Sequence, residues 1–250
     1  MKRETVTSAR NPLLVHLKKL LASRSYREAC GEFAADGTKL LEEAAKWYPG
    51  LETVVVQTGV ELCPLPEHVR VVEIPESLMR SVSQMEAPQG AIFICRLPEA
   101  RPAALRPGTL LLDGIQDPGN LGTILRTADA LEVPVVLLDG CADAYNPKTV
   151  RATMGAVFRT QPVRMTRAEA VQSCRAAGIP LLATAMSADA VDLRKKDLSG
   201  CAVVIGSEGR GVSAELFEAA DGKIIIPMNP RCESLNAAAA ATIVLWQMKR

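Results

Sequence analysis

The chain has 250 residues, 48% of them apolar and 23% charged, which excludes a disordered polyelectrolyte and fits one large domain or two small ones. No apolar run approaches the ~20 residues needed to span a bilayer, and Met1-Lys-Arg-Glu4 has no apolar segment behind it, so neither a membrane anchor nor a secretory signal is expected and the setting reads as cytoplasmic. The net charge of +1 is unevenly spread: residues 1–30 hold seven Lys/Arg against two acids, 31–107 seven against eleven, and 108–250 fifteen against fifteen. A basic leading arm suits a polyanion, although a solvated helix face explains it equally well from charge alone.

In chain order, Asn11–Ala22 reads as a helix with Leu13, Leu14, Leu17, Leu20 and Leu21 on one stripe and Lys18 and Lys19 off it. A second helix is predicted at Thr38–Trp47. Apolar runs at Thr53–Gln57, Val69–Ile74 and Ala91–Cys95 read as strands, with a short helix near Glu76–Arg80. This forms a compact α/β unit over residues 1–97. Pro98 to Pro107 has three prolines and no periodicity, and reads as a linker.

From 108 to 250, strands alternate with helices. Strands are predicted at Thr109–Asp113, Val135–Asp139, Pro180–Thr184, Ala202–Gly206 and Lys223–Ile226. Helices are predicted at Leu121–Leu131, Pro147–Met154, Arg167–Ala177, Ala214–Ala220 and Ser234–Lys249. Runs such as Leu110-Leu-Leu-Asp113 and Val203-Val-Ile205 lack polar alternation, which marks strands covered on both faces and hence a parallel sheet. The last helix is apolar nearly all round. It is therefore expected to be buried on more than one side, in a domain core or a subunit interface.

The seven cysteines form no CxxC pair, several lie inside apolar strands, and His16 and His68 are the sole histidines. Small buried hydrophobes in a reducing compartment explain the cysteines, and no metal is expected. Three strand ends carry glycine or small polar residues. Ile205-Gly-Ser-Glu208-Gly-Arg-Gly211 has the spacing GxxGxG, so it matches neither the dinucleotide GxGxxG nor a phosphate-binding loop ending in Gly-Lys-Ser/Thr. A structural glycine turn remains open for it. Asp117-Pro-Gly-Asn120-Leu-Gly-Thr-Ile-Leu-Arg126 puts Asn120 at an expected helix N-cap and Arg126 inside that helix. Ile226-Pro-Met228 leads into Ser234-Leu-Asn236. Pro147 opens a helix whose first turns carry Lys148 and Arg151, a natural phosphate seat. Ligands collect at the carboxyl ends of parallel strands, so the three ends together read as one composite pocket.

In this order and spacing the segments resemble the SpoU/TrmH-like RNA 2′-O-ribose methyltransferases of the SPOUT superfamily. The matching segments are Asn120-x-Gly-x-x-x-Arg126, Ile205-Gly-Ser-Glu208-Gly-x-Gly, and Ile226-Pro-Met followed by Ser234-Leu-Asn236, with Asn146-Pro-Lys-x-x-Arg151-Ala-Thr-Met-Gly155 between them. Residues 4–97 resemble the family's RNA substrate-binding domain more loosely, through Ser8-Ala-Arg10-Asn-Pro and Gly31-Glu-Phe-x-x-x-Gly37. Thr153 stands where the family usually has Ser, and Ala237–Ala241 where valines often alternate.

The resemblance implies a SPOUT domain at 108–250 with a parallel sheet and a deep trefoil knot, behind a smaller N-terminal α/β domain of ribosomal-protein type. It implies S-adenosylmethionine held at Thr184, Gly206, Ile226 and Leu235, and transfer of its methyl to a ribose 2′-oxygen by a site of Arg126, Asn120, Glu208, Ser234 and Asn236. RNA would be met by Arg10, Lys18, Lys148 and Arg151, and a homodimer would form through the knot and last helix. The two-domain layout favours ribosomal over transfer RNA as substrate. A non-catalytic RNA-binding or assembly protein of the same fold is the alternative, and a nucleotide-cofactor oxidoreductase is disfavoured by the glycine spacing.

Overall fold

The computed structural model describes residues 3–99, 105–229, 231–232 and 234–250. It divides into two compact units, Met1–Glu99 with Tyr145–Arg159, and Ala100–Ala144 with Thr160–Arg250. Of the expected linker 98–107, residues 100–104 lie outside the described residues.

The first unit is built on a five-stranded mixed sheet. In chain order its elements are β1 (Arg3–Thr5), α1 (Pro12–Ala22), α2 (Arg24–Cys30), β2 (Glu32–Asp36), α3 (Thr38–Trp47), β3 (Leu51–Gln57), β4 (Arg70–Ile74), α4 (Glu76–Val82) and β5 (Ala91–Arg96). The strand order is β1-β4-β3-β5-β2, with β5 antiparallel to both neighbours and the remaining pairs parallel. Asn11 caps α1 by accepting the Leu13 N–H at 2.9 Å, and the leucine stripe buries Leu14, Leu17, Leu20 and Leu21 against Val55, Val72 and Ile92. A separate aromatic cluster joins Phe33, Tyr48, Phe93, Tyr145 and Phe158, with ring centroids 4.8–6.3 Å apart.

Tyr145 and Phe158 explain one departure from the division expected. Residues 145–159, read as part of a continuous 108–250 domain, pack in the first unit. Burial of two aromatic rings outweighs adjacency in sequence.

In the second unit the elements are β6 (Thr109–Asp113), α5 (Pro118–Ala130), β7 (Val135–Leu137), β8 (Val163–Arg164), α8 (Arg167–Ala177), β9 (Leu181–Thr184), β10 (Val191–Asp192), β11 (Ala202–Gly206), α9 (Ala214–Ala219), β12 (Gly222–Ile225) and α10 (Ala237–Met248). The helices α6 (Pro147–Ala152) and α7 (Ala156–Arg159) lie in the chain between β7 and β8 and pack in the first unit. The sheet order is β10-β12-β9-β11-β6-β7-β8 and every pair is parallel, as the continuous apolar runs predict. Leu111, Val136, Ala183 and Val204 line one face of the sheet within a core that also takes Ala170 and Cys174 of α8 and Leu216 of α9.

Three expectations change. The helix after β6 is capped by Asp117, whose Oδ1 accepts the Asn120 N–H at 2.7 Å, so Asn120 sits in the first turn instead of at the cap. Pro118, with its φ fixed for a helix start, sets that boundary. The last helix begins at Ala237 with Asn236 as its cap, which leaves Ser234 in the preceding loop. Within one chain it is also not buried all round: Val244, Leu245 and Met248 are inside, while Trp246 is 67% and Ile243 40% exposed.

Candidate functional site

The site grows from the ends of β6, β9, β11 and β12. At the end of β11 the chain turns so sharply that Ser207 and Gly211 form a two-residue bridge. The Gly211 N–H donates to the Ser207 carbonyl at 2.8 Å, and the Ser207 N–H donates back at 3.1 Å. The turn puts Gly211 in the left-handed region at φ +68°. It also brings the chain back against Gly206, where a Cβ would stand 2.0 Å from the Gly211 carbonyl carbon and 2.1 Å from the Val212 nitrogen. Only glycine fits at 206.

This hairpin carries Glu208 to a polar cluster. Glu208 Oε1 accepts from the Asn120 side-chain amide, from Asn236 Nδ2 at 3.4 Å and from the Ala237 N–H at 3.3 Å. Asn236 Nδ2 also donates to Asn120 Oδ1 at 3.0 Å, while its own Oδ1 accepts the Ala238 and Ala239 N–H groups. One carboxylate thus gathers α5, the β11 hairpin and the start of α10, and its charge lies at a helix N-terminus, where the helix dipole favours an anion.

Beside the cluster lies a cavity of about 450 Å³, a size typical of small-molecule sites. Thr184, Gly206, Ile226 and Leu235, the four residues expected to hold a cofactor, all line it, as do Glu208 and Ser234. Its wall after β9 is tied to β12 by Asp189, whose pKa is drawn down to about 2, chiefly by its hydrogen bond from Lys223 Nζ at 2.8 Å. Lys223 also lies over the Phe217 ring, 4.4 Å from its centroid.

Of the residues expected in the chemistry, Asn120, Glu208 and Asn236 are hydrogen-bonded together and Ser234 faces the cavity. Arg126 is exposed on α5 and is not among the cavity's lining residues. Arg10, Lys18, Lys148 and Arg151 belong to the first unit. The first three are exposed, whereas Arg151 is half-buried and close enough to the buried Asp36 carboxylate to act on it electrostatically.

Sequence reading missed Asp113. It is buried at the end of β6 and paired with Arg167, and an acid closing a run of three leucines was the available signal. It also missed Met186, Phe217 and Met228 on the cavity wall, whose apolar character alone does not separate them from core residues. Among the described residues, no group of three or more His, Cys, Asp or Glu gathers in metal-binding geometry, and no helix is long and apolar enough to cross a membrane.

A parallel sheet with a glycine hairpin and polar cluster at its carboxyl edge, joined to an α/β unit of mixed sheet, defines a two-domain α/β protein with a small-molecule pocket. Residues 107–246 match the SpoU rRNA Methylase family and residues 11–92 the MRM3-like substrate binding domain, and the chain belongs to the SpoU rRNA methylase family. It is 34% identical to the 23S rRNA (guanosine(2553)-2′-O)-methyltransferase RlmP of Bacillus subtilis, over 98% of each chain. It is 30% identical to the 23S rRNA (uridine(2479)-2′-O)-methyltransferase of Streptomyces viridochromogenes, over 97% of this chain and 91% of that one. The crystal structure of an AdoMet-bound rRNA methyltransferase from Sinorhizobium meliloti superposes with a TM-score of 0.86 at 30% identity, covering 99% of this chain and 98% of the other.

Proposed function

We propose that the chain is an S-adenosylmethionine-dependent methyltransferase that places a methyl group on a ribose 2′-hydroxyl of ribosomal RNA. The observation that carries this reading is the junction of a cavity, cradled by a glycine that tolerates no side chain, with the Asn120–Glu208–Asn236 cluster. The residues present suit the cofactor. At Gly206 the missing side chain lets the hairpin main chain close in beside the cavity, and Thr184, Ile226 and Leu235 line the same cavity. When bound, S-adenosylmethionine supplies an electrophilic methyl on a sulfonium.

The protein's share is to make a ribose hydroxyl reactive and hold it in line. A guanidinium is a poor general base, so the part given to Arg126 is electrostatic. Its guanidinium binds an RNA phosphate and stabilises the alkoxide character that develops on the 2′-oxygen, with that phosphate as proton acceptor. Asn120, Glu208, Ser234 and Asn236 fix the orientation of the ribose and guanidinium. Arg10, Lys18, Lys148 and Arg151 of the first unit contact the RNA backbone; the basic leading arm supports this for Arg10 and Lys18, and the exposure of Lys148 in the first turn of α6 supports it there. In this reading the chain is threaded as a deep trefoil knot around the β11 and β12 loops. Two copies pair through it and through the exposed Ile243 and Trp246 face of α10. The setting is the cytoplasm, where ribosomal RNA is modified, and the seven free cysteines suit it.

The test is transfer of labelled methyl from S-adenosylmethionine to ribosomal RNA, with cofactor affinity measured in parallel. Arg126→Ala should lower kcat about a hundredfold or more while the cofactor Kd stays within about twofold. Wild-type kcat in that variant overturns the role of Arg126. A wild-type protein that binds RNA but never the cofactor favours the non-catalytic alternative.

A further inference from the structure

Asp113 is the last residue of β6 and its side chain is 2% exposed. Its two oxygens are shared between different parts of the second unit. Oδ1 accepts from Arg167 Nε at 2.8 Å and Nη2 at 2.7 Å, tying β6 to the first residue of α8, and Arg167 Nη2 donates further to the Asp139 carbonyl at 3.1 Å. Oδ2 accepts the backbone N–H of Ser213 at 2.7 Å, just before α9 begins. Burial by itself would lower the Arg167 pKa; the hydrogen bond and charge of Asp113, together with the charges of Asp139 and Glu215, outweigh it, and the net shift is upward.

The register of the sheet gives this bond its meaning. Gly206 is the residue paired with Asp113 across β6 and β11. The hairpin that carries Glu208 therefore leaves the sheet beside Asp113, at Gly206, and is caught again by the Asp113 carboxylate at Ser213. Inside the excursion the main chain is held by the Ser207–Gly211 pair and by the Arg210 N–H on Ser207 Oγ at 3.3 Å, and the Glu208 side chain is tied to Asn120 and α10; the return of the hairpin to the sheet is fixed by the Asp113–Ser213 bond. On the other side, the backbone after Asp113 runs within seven residues to Asn120, the partner of Glu208.

We propose that Asp113, braced by Arg167, is a positioning residue for methyl transfer: its carboxylate anchors the Ser213 end of the 206–213 hairpin beside the Gly206 end, which strand pairing holds, and thereby sets the cofactor cradle and Glu208. This rests on the function proposed above. Asp113 touches neither substrate nor the reacting atoms. A purely structural ion pair would stabilise the fold without setting cofactor affinity, and the two roles separate experimentally.

Asparagine matches the shape of Asp113 but has one accepting oxygen, so Asp113→Asn must give up either Arg167 or Ser213. Calorimetric titration of the full-length protein with S-adenosylmethionine should show the Kd raised about tenfold. Hydrogen exchange should quicken at amides 207–212, and affinity for a ribosomal RNA fragment should be unchanged. The double variant D113L/R167M removes the charge pair together with both accepting oxygens; it should melt nearer the wild type than D113L alone yet keep the raised Kd, and it serves as the readout if D113N alone does not fold. A folded D113N, or folded double variant, with a cofactor Kd within about twofold of wild type overturns the proposal. So does a lower melting temperature without faster exchange at 207–212. Should the wild-type protein itself not bind S-adenosylmethionine, the functional reading falls instead.

Discussion

Replacing Gly206 by alanine adds a single methyl group to the tightest point of the site. That carbon would lie 2.0 Å from the Gly211 carbonyl carbon and 2.1 Å from both the Gly211 oxygen and the Val212 nitrogen, all main-chain atoms with no flexible end to swing away. Carbon contacts are comfortable at ~3.5–4.0 Å, so the hairpin must withdraw by roughly 1.5 Å. Overpacking of this kind costs about 1–3 kcal/mol. Because Gly206 and Gly211 both line the cavity, most of that cost should appear in ligand binding, as an S-adenosylmethionine Kd raised about 5- to 150-fold. Gly209 provides a matched control three residues away: its added Cβ would meet nothing within 4 Å. Titration calorimetry of G206A and G209A, with thermal melts of each, should therefore give a weakened binder and a near-normal one. Equal affinities for the two variants, close to wild type, would refute the idea that the closeness of 206 to 211–212 shapes the cradle.

Two further expectations concern other parts of the molecule. Trp246→Glu puts a charge on the exposed apolar face of α10, so sedimentation velocity should find the variant monomeric where the wild type is dimeric; a monomeric wild type removes that interface. In the first unit, burial raises the pKa of Asp36, and hydrogen bonding from Ser83 and the charge of Arg151 oppose this without cancelling it. A carboxyl whose folded pKa exceeds its unfolded value of ~3.9 binds more protons in the native state between the two values, so stability falls as pH climbs through that window. D36N lacks this slope, and urea denaturation should show it gaining on the wild type as pH rises from about 4. A difference that does not vary with pH would count against a buried, ionising Asp36.

Legibility in the sequence followed the physics of each element. Thr109–Asp113, Ala202–Gly206, Thr38–Trp47 and Arg167–Ala177 were found at their observed bounds, because doubly covered strands and periodic helices write their burial into residue type. Glu32–Asp36 was missed as a strand, since Phe33, Ala34 and Ala35 between two acids lack β-branched residues and owe their conformation to pairing with β5. Arg24–Cys30 has no apolar stripe, and its signals were at the ends, where Ser23 caps it and Gly31 closes it at φ +66°.

The candidate site was legible as a set of motifs because its glycines and amides have few structural substitutes. The hydrogen bonds from Asn120 and Asn236 to Glu208 depend on how the β11 hairpin and the α10 cap approach α5, which no local pattern encodes. Nor could sequence order show that residues 145–159 follow Tyr145 and Phe158 into the first unit.

Asn236 does two jobs with one side chain. Its oxygen starts the terminal helix and its nitrogen ties that start to Asn120 and Glu208. Pairing of β6, β9, β11 and β12 alone leaves the amide cluster without one of its members. The polar edge of the cavity is thus conditional on the docking of α10, and a change that loosens the first turn of that helix is felt at Asn120 and Glu208 as well.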